Sequence, residues 1–149
     1  MGGQPVNRQR KSSSGSISRA IERAAQSLTT RFEQQAALYG ARIALKTHDQ
    51  ALTYDQLNRA ANRLGRAILT GSPASDEPIA LLFKHGTRLI TANLAVLKTG
   101  RPFVQIDNNL PRWRAAQVIA DAGARVIVTD REHFGFAREL ADAAKIVLN

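Results

Sequence analysis

Pro78 to Asp107, PIALLFKHGTRLITANLAVLKTGRPFVQID, reads as strand, helix, strand, and this reading decides the fold. Ile79 to Phe83 is an almost wholly apolar run, the pattern of a strand covered on both faces rather than one with a wet side. Leu89, Ala92, Val96 and Leu97 then recur at helical spacing. Lys98 falls in the last turn, where a cation suits the helix dipole, and Gly100 supplies a left-handed closing residue. Phe103 to Ile106 follows as a second strand. Two strands joined by a helix of this length form a right-handed crossover, which sets them parallel in one sheet.

Downstream the alternation continues. Asn108, Asn109 and Leu110 lead to Pro111 at a favourable first helical position, and a helix runs through about Ala122, with Val118, Ile119 and Ala122 on its apolar side. Gly123 closes it. Val126 to Thr129 is another buried strand, ending at Asp130. Glu132 to Ala144 is expected as a helix with Phe136, Leu140 and Ala144 at matching intervals, and Ile146 to Leu148 begins a further strand. The βαβαβ order predicts an α/β fold, an open and mainly parallel sheet with helices on both faces. Ligands of such sheets collect at the carboxyl ends of the strands, which makes Asp107 and Asp130 the positions to watch. Aspartate also favours these places because its side chain bonds nearby amides in turns, which is the structural alternative for both.

Upstream, Thr53 and Gln56 have the spacing of a capping box and open a long helix through about Leu69, with Leu57, Ala61, Leu64 and Ile68 as its apolar stripe. Ile43 to Lys46 and Ala51 to Thr53 flank the polar His48, Asp49 and Gln50, a small antiparallel hairpin with His48 in its turn. Before it, a helix holds Phe32, Ala36 and Tyr39 and ends at Gly40; Ser27 or Thr30 caps it, and Thr30 with Glu33 repeats the capping-box spacing. Thr70 to Glu77, TGSPASDE, reads as a loop. It lacks the repeated Gly and the Lys of a phosphate cradle. Ile17, Ile21, Ala24, Ala25 and Leu28 hint at a short helix, and residues 1–18, with Arg8, Arg10 and Lys11 before three serines, are expected as a disordered basic arm. Residues 19–149 form the globular part.

Two of these stretches carry a resemblance. LKTGRPFVQID, Leu97 to Asp107, is similar to the second core motif of adenylation domains of nonribosomal peptide synthetases, an LKAGGAYVPLD-type string, and LTYDQLNRAANRLGRAI, Leu52 to Ile68, resembles their first motif. The resemblance runs from about Ser27 to the end of the sequence and covers only the opening portion of such a domain. It implies the partial N-terminal subdomain of the adenylate-forming enzyme fold. It further implies that the complete enzyme activates an amino acid or other carboxylate with ATP and magnesium to an acyl-adenylate, then passes the acyl group to a thiol. Carrier protein and the remainder of the domain are the implied partners. The family's triphosphate loop, its adenosine-binding and magnesium-binding residues and its catalytic lysine would all lie further along. No catalytic, cofactor-binding or metal residue is therefore assigned, and the isolated chain is expected to be inactive scaffold. Tyr54 and Leu57 would pack the subdomain. Gln105 and Asn108 stand where the family usually has proline. A non-catalytic interaction module and the opening part of an acyl-CoA synthetase are the alternatives.

Composition narrows the field. The 149 residues suit one domain, and the absence of cysteine excludes disulfides, thiolate metal sites and a cysteine nucleophile. The longest apolar stretch, Leu89 to Leu97, is too short to span a bilayer, and the amino terminus lacks the apolar block of a secretory signal, so the cytoplasm is the expected location. The formal charge of +9 invites a nucleic-acid reading, but beyond the arm the basic residues are interleaved with acids and aromatics are few. Arg59, Arg63 and Arg66 read as a solvated helix face. Trp113, between Arg112 and Arg114, is expected to lie over the sheet or hairpin; an exposed indole there would instead offer a partner contact. His48, His85 and His133 sit on separate elements, which argues against a metal site.

Overall fold

The computed structural model describes residues 27–72, 75–141 and 146–148. The expected arm and the helix hinted at from Ile17 lie outside them. Helix α1, Leu28–Tyr39, is capped by Ser27, whose Oγ accepts from the Thr30 N–H at 3.2 Å. Thr30 is thus inside the first turn, and the expected pairing of Thr30 with Glu33 does not form. The serine three residues earlier already satisfies that amide, and Glu33 reaches forward to Lys98 instead.

Strands β1, Ile43–Lys46, and β2, Ala51–Thr53, pair antiparallel as the expected hairpin. Helix α2, Tyr54–Gly71, begins with both halves of the Thr53–Gln56 capping box in place: the Gln56 N–H donates to Thr53 Oγ1 at 3.2 Å and the Thr53 N–H to Gln56 Oε1 at 2.9 Å. The helix runs two residues beyond Leu69, so Thr70 belongs to it rather than to the following loop. Its exposed side carries Arg59, Arg63 and Arg66, with Arg59 paired to Asp55 one turn back at 2.9 Å.

A four-stranded parallel sheet follows: β3, Ile79–Leu82; β4, Phe103–Ile106; β5, Val126–Thr129; and β6, Ile146–Leu148, in the order β4-β3-β5-β6. Every residue of β3 and β5 is buried. Side chains alternate across a pleated strand, so the two faces receive alternate residues. Ile79, Leu81, Phe83, Val126 and Val128 meet α2 and helix α3, Thr87–Lys98; Ala80, Leu82, Ile106 and Ile127 meet helices α4, Arg112–Asp121, and α5, Phe134–Leu140. Helices cover both faces. Burying one such aliphatic side chain stabilises by roughly 1.5–3 kcal/mol, which explains why near-continuous apolar strands hold the centre. On the first face α2 approaches α3 closely through Gly65, where an added Cβ would come within 3.3 Å of the Ala95 carbonyl.

Glycines close the two crossover helices. Gly100 has φ 78° after α3 and Gly123 has φ 68° after α4, both in the left-handed region that an L side chain resists. Pro111 serves as the N-cap of α4, one residue outside the helix. Helix α5 is shorter than expected, because Asp130 holds the following residues in a turn. Its Oδ1 accepts from the His133 N–H at 3.1 Å, which keeps Glu132 out of the helix, and Ala141 turns extended. Ala144 lies outside the described residues.

Arg101 is a buried cation at 6% exposure, standing where the resembled string has its second glycine. Its Nε donates to the Glu77 carbonyl at 2.9 Å and a terminal nitrogen donates to Ser72 Oγ at 3.1 Å, so it ties both sides of the α2–β3 connection to the start of β4. Trp113 departs from expectation: it is 69% exposed. The buried side of α4 is Ala115 and Ile119, and position 113 projects away from that stripe.

Candidate functional site

The carboxyl edge of the sheet is where the topology opens. The connection after β3 leads to α3 on one face, whereas the connection after β5 leads to α5 on the other. Neighbouring strands whose following loops part in opposite directions define a switch point, with a crevice between the loops. Here the crevice lies between Lys84–Gly86 and Asp130–His133. Thr129 Oγ1 donates to the Leu82 carbonyl at 2.7 Å and fastens the two strand ends beneath it.

A cleft of about 430 Å³ occupies this edge, walled by the hairpin turn Thr47–Gln50, by Lys84–Arg88 and by Asp130 and Glu132. The hairpin is held in place from outside its own sequence, because Thr87 Oγ1 donates to Gln50 Oε1 at 2.7 Å. A smaller hollow of about 170 Å³ adjoins at the end of β4, beside His85, Asp107 and Asn108. His48 and His85 line the same cleft and His133 is bonded to Asn108, so three histidines from separate elements gather at one end of the sheet.

The two strand-end aspartates differ. Asp107 Oδ1 accepts from the backbone and side-chain nitrogens of Asn109 at 2.9 and 3.0 Å, a turn-forming role confined to its own loop. Asp130 is only 11% exposed in its side chain and makes three separate attachments. Its Oδ1 accepts from the His133 N–H and ring Nδ1, at 3.1 and 2.7 Å, and its Oδ2 faces an Arg88 guanidinium nitrogen at 3.4 Å. Burial alone raises the pKa of such a carboxyl; the hydrogen bonds from the His133 ring and backbone N–H, with Arg88, outweigh it and hold Asp130 below its ordinary value.

Asp130, Glu132 and His133 also bring three potential ligand atoms within 4.8 Å of one another. Both ring nitrogens of His133 already have hydrogen-bond partners, and Arg88 occupies the second oxygen of Asp130. The cleft sets Lys84 and Arg88 against Asp49, Asp130 and Glu132. Its acids offset the cations that a triphosphate would require, so these residues alone do not fit a nucleotide–magnesium complex. Sequence position points to both aspartates but not to the distant members of the Asp130 group, because Asn108 lies 25 residues from His133 and Arg88 lies 42 from Asp130.

The pattern that defines AMP-binding enzymes matches residues 32–148. The chain is 36% identical over 117 residues to a mycosubtilin synthase polypeptide of Bacillus subtilis, which covers 78% of this chain and 4% of that protein. It is 38% identical over 117 residues to surfactin synthase subunit 1 of Bacillus subtilis, covering 78% of this chain and 3% of the relative. Among solved structures, the nonribosomal peptide synthetase FmoA3 with bound α-methyl-L-serine-AMP superposes with a TM-score of 0.73 at 28% identity, over 81% of this chain and 14% of that one. The Klebsiella oxytoca NpsA N-terminal subdomain shares the fold, with a TM-score of 0.71 at 21% identity, over 83% of this chain and 30% of that chain. The chain thus spans a small part of the proteins it matches. Both resembled motifs fall inside the matched span, on α2 with its capping box and on the end of α3 with β4. The chain belongs to the AMP-binding enzyme family, and it corresponds to the amino-terminal part of an adenylation domain.

Proposed function

We propose that this chain supplies scaffold to an adenylation domain that activates an amino acid or another carboxylate with ATP, giving an acyl-adenylate for transfer to a carrier protein. Residues 19–149 act in this reading as part of the N-terminal subdomain, and the groups that grip the triphosphate and the magnesium come from sequence outside these 149 residues. The observation that carries the reading is the family match over 32–148, which falls on the parallel sheet and the helices that cover it. An artificially fused adenylation–PCP di-domain, NpsA-ThdA of Klebsiella oxytoca, has the same fold over 83% of this chain and supports a carrier protein as the partner class.

Pyrophosphate exchange with ATP and a panel of amino acids tests it. The purified chain should give no exchange, and mixing it with the downstream part of an adenylation domain should restore it. Exchange by the chain alone, or tight magnesium-dependent nucleotide uptake in calorimetry, would overturn the proposal.

A further inference from the structure

Four side chains that follow three different strands form one continuous line at the carboxyl edge. Asn108 follows β4, Arg88 lies in the first turn of α3 after β3, and Asp130 and His133 follow β5. Asn108 Nδ2 meets His133 Nε2 at 3.1 Å, His133 Nδ1 meets Asp130 Oδ1 at 2.7 Å, and Asp130 Oδ2 meets Arg88 at 3.4 Å. The line crosses the switch-point crevice rather than running along one side of it. We propose that Asn108, His133, Asp130 and Arg88 form a clasp that ties the loops together across the crevice, and that it opens when an anion draws Arg88 away from Asp130.

The proton inventory fixes the internal order of the clasp. An ionised carboxylate only accepts, so His133 Nδ1 carries a proton and donates to Asp130. In the neutral ring Nε2 then has a free lone pair, and the Asn108 amide donates to it. Each atom in the line has the role its neighbour requires. Placing a proton on Nε2 would turn it into a donor, and Asn108 would have to present its Oδ1 instead. Arg88 is the weak link, since its side chain is 65% exposed while those of Asp130 and His133 are 11% exposed.

Other charged groups face the same place and set its polarity. Lys84 and His85 flank Arg88 on the β3–α3 loop, His48 and Asp49 come from the hairpin turn, and Glu132 lies beside Asp130. On the β4 side Asp107 is occupied by Asn109. Lys84 and Arg88 attract an anion into the cleft, and an anion that paired with Arg88 would compete directly with Asp130.

Two measurements on the full chain test the clasp. Nitrogen-15 spectra of the neutral imidazole of His133 should show the Nδ1–H tautomer; the Nε2–H tautomer would overturn the proposal. Hydrogen exchange should then be compared between wild type and Asp130→Asn. The hydrogen-bonded amides of Ile90 and Ala137, which close the first turns of α3 and α5, should exchange about tenfold faster in the variant, the ratio that a single charge-assisted hydrogen bond supplies. Those of Ala51–Thr53 should not change. Unchanged exchange at the crevice, or an equal rise in the hairpin, would overturn it. Should Asp130→Asn fail to fold, Arg88→Gln opens the same link from the exposed side and is read by the same amides.

Discussion

The sheet core and the amino-terminal layer are built from similar apolar residues but hold them differently. In β3 and β5 Ile79, Leu81, Leu82, Val126, Ile127 and Val128 are almost completely buried, whereas in α1 and β1 Leu28, Leu38 and Ile43 are 63%, 69% and 60% exposed. Helix α1 buries Ala36 and sets Phe32 against Tyr54, at 6.0 Å between ring centroids; its remaining apolar surface faces outward. An apolar side chain stabilises only through the area it removes from water. Stability should therefore reside in the parallel sheet, with the hairpin and α1 attached to it through the Thr87–Gln50 bond, the Lys98–Glu33 ion pair and the α2 stripe.

Truncation gives the largest contrast. Leu81→Ala and Ile127→Ala should each cost about 2–5 kcal/mol in urea unfolding followed by circular dichroism, while Leu38→Ala and Ile43→Ala should stay within about 0.5 kcal/mol. Equal losses in both regions would erase the distinction. Arg101→Met comes next, at about 1–3 kcal/mol, because it leaves the half-buried Glu77 carbonyl without its donor and removes the link to Ser72; an unchanged unfolding midpoint would mean that the connection holds without it. Thr53→Ala should cost about 1 kcal/mol through the lost cap of α2, and a double variant with Gln56→Ala should cost less than the sum, since the two bonds form one box.

Acid offers a finer probe. Asp130 has a folded pKa below its ordinary value, so its contribution is fully present above the unfolded carboxylate range and is lost as pH falls through the folded value. The stability difference between wild type and Asp130→Asn should accordingly shrink below about pH 4 and hold steady above pH 5 or so. Trp113→Ala should likewise stay within about 0.5 kcal/mol, as for the exposed truncations in α1 and β1. The same indole, the one tryptophan of the sequence, should be freely quenched by acrylamide in the native protein.

Elements whose signals are local are legible in the amino-acid sequence by itself. The hairpin bounds, the Thr53–Gln56 box and the buried runs of β3 and β5 follow from alternation, capping chemistry and the length of an apolar run, and parallel pairing follows from the helix between strands. Ser27 and Thr30 offer the same capping chemistry one turn apart, Ser27 to the Thr30 amide and Thr30 to the Glu33 amide, so spacing cannot choose between them; backbone geometry does. Residue type alone sends Trp113 inward, although the stripe through Ala115 and Ile119 puts that position outside. The start of α5 is masked in the sequence because Asp130 bonds its own turn and delays the helix. The clasp is illegible for a different reason. Asn108 and Arg88 reach the Asp130–His133 turn only through strand register and through the reversal of crossover direction at the switch point, and no spacing along the chain encodes either.

Arg101 has one more consequence. A single guanidinium grasps the chain on both sides of the α2–β3 connection, at Ser72 and at Glu77, while Glu77 also pairs with Arg125 at 3.1 Å. A polypeptide nicked between those two anchor points should stay in one piece under native conditions, held by the packing of α2 on the sheet and by this guanidinium, and should come apart when the sheet itself melts.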